Sequence, residues 1–202
     1  MHAGEWDRRY LQAELVWSAE PNRLFAEETA DLPAGRALDL ACGEGRNAVW
    51  LACRGWDVTG VDFSQVALGK AQRLAEAKGA QVRWIRSDLL DYRPDPLTFD
   101  LVAVLYLHVP ARQRREALAR AADALAPGGT IIVIGHDLEN LTRGHGGPSD
   151  PSILLTPESV AADLTALEIV RAATVVRRGE EEGRPWEALD TFVRATRTAS
   201  SA

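Results

Sequence analysis

Several aspartates, two glycines and a group of histidines are spaced in this chain so that they could grip one ligand and act on another. Asp39 lies in ALDLACGEGRNA, residues 37–48, just ahead of Gly43 and Gly45. The spacing Gly43, Gly45, Ala48 fits G-x-G-x-x-G/A, a turn that lets a ligand approach the backbone at a helix N-terminus. Asp62 follows at a distance suited to a ribose. A dinucleotide enzyme usually has an apolar residue at the place of Asp39, facing a pyrophosphate; a carboxylate there suits a cationic ligand.

A second group could handle protons. His108, His136 and Asp137 fall at the C-terminal ends of expected strands, where open α/β sheets place ligands, and a histidine titrates close to neutrality. His145 lies in the glycine-rich segment that follows. Tyr10 and Tyr106 could bond a substrate or simply pack. Cys42, inside the glycine turn, reads as a small packing residue, and its spacing to Cys53 resembles no zinc motif, so no metal is expected.

These residues need a frame to hold them. Strands are expected at Ala37 to Ala41, Asp57 to Val61, Val82 to Ile85, Phe99 to Leu105 and Thr130 to Ile134. Between them, Arg46 to Arg54, SQVALGKAQRLAEAKG and ARQRREALARAADALAPGG carry apolar residues at helical spacing. Such alternation predicts a parallel sheet with helices on both faces. Ser64 is placed to cap a helix, Gly79 to end it, and Ala126 to Gly129 to stop the long helix before the fifth strand.

After His136, DLENLTRGHGGPSDPSILLTP fits no regular element and reads as a lid or a solvated connector. Thr156 and Pro157 then start a short helix. The closing runs Glu168 to Arg178 and Leu189 to Arg197, joined by the charged GEEEGRPWEA, should pair antiparallel because their connection is too short for a crossover. One domain is expected for residues 1–202, with 1–35 as a helical cover and 36–197 as the core.

Composition narrows the function. A net charge of -6 with dispersed Lys and Arg argues against nucleic acid. No apolar stretch approaches membrane-spanning length and the N-terminus does not read as a secretory signal, so the expectation is a cytoplasmic protein without a membrane partner.

The strings LDLACGEGRNAVWLA, GWDVTGVDFS, SDLLDY, FDLVAVLYLHVP and LAPGGTIIVIGHD resemble class I S-adenosylmethionine-dependent methyltransferases, and among them the small bacterial tellurite-resistance and thiopurine-type enzymes. The resemblance implies a Rossmann-like, doubly wound α/β fold, its mostly parallel seven-stranded sheet in the order 3-2-1-4-5-7-6 with strand 7 antiparallel. S-adenosylmethionine is then the cofactor and S-adenosylhomocysteine its product.

Under that resemblance Asp39 anchors the methionine ammonium group, Gly43 and Gly45 admit the methionine part, and Asp62 holds the ribose. Asp88 bonds the adenine amino group and the Leu89 backbone reads the ring edge, while Phe63 can pack on adenine. Arg46 could pair with the methionine carboxylate or be a solvated surface arginine. Trp17 resembles the aromatic that covers the sulfonium side. With Asn47, Ser64 and Leu105 these residues make the cofactor set; His136, His108 and Tyr10 are the catalytic candidates. Taken singly each has a structural alternative: a tight turn for the glycines, caps for Asp62 and Asp88, core for Phe63.

LYLHVP, residues 105–110, lacks the N/D-P-P-Y/F sequence common in enzymes that methylate nucleobase or glutamine nitrogens. The expected acceptor is therefore a small molecule with an oxygen, sulfur or nitrogen nucleophile or a soft anion, acted on by a monomer or homodimer. A cofactor-binding protein without turnover, or a nicotinamide-dependent oxidoreductase, is the alternative.

Overall fold

The computed structural model describes residues 3–12, 15, 18–181 and 183–199. An apolar run such as FDLVAVL suits a strand covered on both faces. It forms β4 (Phe99–Leu105), at the centre of a seven-stranded sheet. The other strands are β1 (Arg36–Leu40), β2 (Asp57–Asp62), β3 (Val82–Arg86), β5 (Leu125–His136), β6 (Glu168–Glu181) and β7 (Arg184–Thr196). Their order is β3-β2-β1-β4-β5-β7-β6, and β7 runs antiparallel to both neighbours.

Successive side chains on β4 alternate between two cores, as strand pleating requires. Leu101, Ala103 and Leu105 pack with Ile132, Phe25 of α2 (Arg23–Thr29) and Leu51 of α3 (Arg46–Cys53). Val102 and Val104 pack with Val133, Leu118 of α5 (Ala111–Ala124) and Val160 of α7 (Pro157–Asp163). The doubly wound arrangement follows from that division.

Local signals set the helix ends. The Ser64 hydroxyl accepts the Ala67 N–H at 3.0 Å to start α4 (Gln65–Lys78), and Gly79, with φ of 65°, ends it. Thr156 and Ser159 cap α7 reciprocally. Near the N-terminus, α1 (Ala3–Tyr10) is tied to α4 by Lys70, whose ammonium donates to the Tyr10 carbonyl. Lys70 also pairs with buried Glu44 of the glycine turn at 3.0 Å.

Three expectations change. Ala126 to Gly129 do not separate helix from strand: β5 takes over from α5 directly at Leu125, and the Pro-Gly-Gly segment bulges out where the pairing jumps from Phe99↔Leu125 to Leu101↔Thr130. Within the charged GEEEGRPWEA, residues 179–181 and 184–188 continue the β6–β7 ladder, and Trp186 lies across its register partner Gly179, filling the space of the missing side chain.

The segment after His136 is also more ordered than its composition suggests. It contains the short helix α6 (Asn140–Arg143), a 3-10 turn at Pro151–Ile153 and a bridge between Asp137 and Leu155. Asn140 fastens it by accepting the Leu189 N–H at 2.7 Å and donating to the Gly146 carbonyl at 2.8 Å. No helix among the described residues is long and apolar enough to cross a membrane.

Candidate active site

β1 and β4 lie side by side at the point where the strand order reverses, the usual ligand crevice of an open α/β sheet. Both chains leave the sheet there in a strained conformation: Ala41 has φ of 58° and Tyr106 φ of 55°. The two residues border two connected hollows, together with Trp6, Tyr10 and His108. One hollow, about 340 Å³, is further lined by Asp62, Phe63, Asp88 and Leu89. The other, about 150 Å³, is lined by Gly43, Arg46, Asn47, Leu105, His136 and Arg177.

Asp39 is 1% exposed, and its Oδ2 has no hydrogen-bond partner among the described residues. Burial, and then the nearby Asp62 carboxylate, push its pKa up to about 7. A buried carboxylate oxygen left without a donor is costly, so a cationic or hydrogen-bonding ligand group would relieve it. Asp62 accepts from the Gly43 N–H and the Ser64 N–H, each at 2.9 Å, and so fixes the glycine turn to the end of β2. Burial raises its pKa as well, opposed by those backbone donors. Each oxygen has a further lone pair for a ligand hydroxyl.

The two glycines do different work. A Cβ on Gly43, which has φ of 55°, would stand 2.9 Å from the Tyr10 hydroxyl, on the cleft side. A Cβ on Gly45, at φ of 78°, would meet Ala71 and Trp84 at 2.6 Å, so glycine is needed there to seat the turn against α4 and β3. Cys42 keeps its proton, since burial and the adjacent Asp39 and Asp62 hold its thiol pKa well above the ordinary value.

The proton-handling groups converge on the opposite rim. The His108 and His136 rings stack at 5.3 Å with 8° between planes, and the Tyr106 ring is 5.1 Å from His136. Asp190 of β7 is the register partner of His136. Its Oδ2 accepts from the Tyr106 hydroxyl at 2.7 Å and from Arg177 Nε at 2.8 Å. Its Oδ1 lies 3.4 Å from His136 Nδ1, within ion-pair distance though not aligned as a hydrogen bond. Burial opposes the Asp190 charge, but the close approach of His136 and donation from Arg177 and Tyr106 outweigh it and hold the pKa below the usual carboxylate value. Burial and the neighbouring His136 lower the His108 pKa to about 4, which leaves that imidazole neutral at pH 7.

Residues 37–129 match the family model of the methyltransferase domain. Thiocyanate methyltransferase 1 of Arabidopsis thaliana is 26% identical over 198 residues, spanning 93% of this chain and 86% of the plant protein. The protein is an S-adenosylmethionine-dependent methyltransferase. Among solved structures, the N-methyltransferase NodS of Bradyrhizobium japonicum, in complex with S-adenosyl-l-homocysteine, matches with a TM-score of 0.71 at 20% identity over 96% of this chain and 97% of NodS. TehB from Haemophilus influenzae matches with a TM-score of 0.73 at 13% identity over 88% of this chain and 63% of TehB. Both share the fold of this methyltransferase.

In this methyltransferase Asp62, Phe63, Asp88 and Leu89 border one part of the cleft, and Gly43, Arg46, Asn47, Leu105 and His136 the other, with Tyr10 and His108 common to both. Gly45 and Ser64 line neither hollow and act on the frame. Asn47 borders its hollow while its Oδ1 accepts the Asn22 N–H at 2.9 Å, and Asp88 accepts the Leu90 N–H at 2.9 Å. Trp17 lies outside the described residues. His145 stands apart from the histidine pair, stacked on Trp186 at 5.6 Å. Asp190 and Arg177 escaped the sequence reading, because nothing in their local spacing announces a site.

Proposed function

We propose that this methyltransferase methylates a small-molecule acceptor, with His136 as general base and Asp190 as the residue that holds it. The carrying observation is the His136–Asp190 pair, whose His136 lines the same hollow as Gly43 and Arg46 of the glycine turn, while Asp39, buried in the strand that leads into that turn, keeps an unpartnered oxygen. When bound, S-adenosylmethionine supplies an activated methyl group. The residues present fit it: Asp39 is the counter-charge for its ammonium group, Arg46 for its carboxylate, and Gly43 the close backbone approach. Asp62 would take the ribose hydroxyls, Asp88 and Leu89 the adenine edge, and Phe63 the adenine face.

The remaining work is alignment and proton removal. Tyr106 and Arg177 fix Asp190 through Oδ2, which leaves Oδ1 facing His136. Accepting the Nδ1 proton there would set the tautomer and leave the Nε2 lone pair to take a proton from the acceptor. Neutral His108, stacked on His136, limits positive charge in the pocket and so does not oppose formation of the imidazolium. Trp6 and Tyr10 of α1 line the cleft and would shield it from water.

The similarity to thiocyanate methyltransferase along nearly the whole chain supports a small acceptor. A screen for S-adenosylhomocysteine formation across thiols, phenols, carboxylates and soft anions tests the reading, with calorimetry for cofactor binding. Turnover of at least one such acceptor is expected. Cofactor binding with no turnover across the panel would favour a binding protein instead.

A further inference from the structure

A third hollow, about 380 Å³, shares Arg177 with the hollow that contains His136. Leu24, Ile134, Val175 and Trp186 give it an apolar body, and Asn22, Arg177 and Asp190 are among its polar lining. Tyr106, which also lines the hollow that contains His136, bonds Asn22 and Asp190 of this one. The wall between the two spaces is therefore the same network that holds the proposed base.

The arginines of this hollow are each paired with a carboxylate, and they differ in how far they are buried. In a chain of net charge -6 this hollow gathers Arg23, Arg177 and Arg178 against Glu27 and Asp190. Arg23 and Arg178 are exposed at the mouth and engaged with Glu27 and Glu187. Arg177 sits deeper: its Nε is held by Asp190, its guanidinium is 5.2 Å from the Trp186 ring centre and 5.9 Å from that of Tyr106, and its side chain is 34% exposed. Asp190 and the two rings thus set the guanidinium at the junction of the hollows, where it remains partly exposed.

We propose that this hollow is the distal subsite for the methyl acceptor, and that the acceptor is an organic anion with an apolar body. The body lies against Leu24, Val175 and Trp186, the anionic group meets Arg177, and the nucleophilic atom reaches past Arg177 toward His136. This rests on the methyl-transfer reading above and sharpens it: a bare inorganic anion would leave the apolar hollow unused.

The test is calorimetric titration of the full chain, saturated with S-adenosylhomocysteine, with three probes: 1-naphthoate, 1-naphthylmethylammonium and acetate. The proposal expects 1-naphthoate to bind at least 10-fold more tightly than either of the others. Val175→Trp, which fills the hollow, should weaken 1-naphthoate at least 10-fold and leave S-adenosylhomocysteine affinity unchanged. Arg177→Gln should lose a similar factor, and Arg177→Lys, which keeps the charge, should retain more of the binding. Equal binding of the naphthyl anion and cation in protein that binds S-adenosylhomocysteine overturns the subsite alone. Unaltered 1-naphthoate binding in both Val175→Trp and Arg177→Gln does the same. Failure of S-adenosylhomocysteine to bind would instead overturn the cofactor assignment beneath it.

Discussion

His136 and Asp190 are register partners across β5 and β7, and the atoms each leaves without a hydrogen bond, Nδ1 and Oδ1, lie 3.4 Å apart. A small rotation of either side chain would turn that approach into a carboxylate–imidazole hydrogen bond. Catalytic hydrogen bonds often tighten in this way when ligands bind.

From this pair comes the first prediction. With an oxygen acceptor, His136→Ala should lower kcat by about 100-fold or more while cofactor affinity stays unchanged. Asp190→Asn should lower kcat by about 10-fold or more, because an amide can stabilise the wrong tautomer, and should displace the pH profile of kcat. A thiolate acceptor would reduce the His136→Ala loss to a small effect. Steady-state kinetics on both variants, with an oxygen acceptor from the screen, distinguish these results; an unchanged kcat in both would return the pair to a structural role.

Asp39 predicts a pH dependence of opposite sign for stability and for binding. Burial raises its pKa to about 7 from the ordinary 3.8, so the ligand-free fold takes up more protons than the unfolded chain between those values. The Asp39 contribution to stability is therefore fully present below about 3.8 and is lost as pH rises through 7. Binding a cationic ammonium group needs the ionised form, so S-adenosylhomocysteine affinity should fall as pH drops from about 8 to 6. Calorimetry should show that dependence flattened in Asp39→Asn, together with weaker binding at pH 8.

The glycines separate cofactor binding from stability. Gly45→Ala drives a methyl group into Ala71 and Trp84 at a φ that disfavours it, at a cost of about 1–3 kcal/mol in unfolding free energy. Gly43→Ala shares the φ penalty but meets only the end of the Tyr10 side chain, so it should cost less stability than Gly45→Ala and more cofactor affinity. Denaturant unfolding beside calorimetry tests the contrast. A Gly45→Ala protein of normal stability that binds no cofactor would reverse the assignment of the two glycines.

His108 should titrate far below a free imidazole. Burial and His136 lower its pKa to about 4, so its ring resonances should stay constant above about pH 6 and move only in acid. A midpoint near 6.5 in a nuclear magnetic resonance titration would mean that the ring is not packed against His136 as described.

Much of the fold was legible in residue order alone. Apolar runs and helical spacing located β1 to β5 and α3 to α5 because a strand or helix records its own periodicity in neighbouring residues. Asp62 and Asp88, which line the cleft, could be located for the same reason, one ending a strand and the other following one, whereas Asp39 lies buried inside β1. Ser64, Gly79 and Thr156 marked helix ends through interactions confined to a few residues.

What only the tertiary structure decided involves groups far apart in the chain. Asp190 reaches His136 through the antiparallel register of β7, and Arg177 arrives from the neighbouring β6; neither pairing leaves a local pattern. The segment after His136 reads as polar and glycine-rich, yet the distant Leu189 N–H and the Asp137 bridge fasten it. Gly45 matches a ligand-binding turn in sequence, but the packing of Ala71 and Trp84 behind it sets its requirement for glycine. Periodicity specifies where an element runs and which face is apolar. Which remote side chains meet on that face depends on register and packing, which exist only once the sheet has closed.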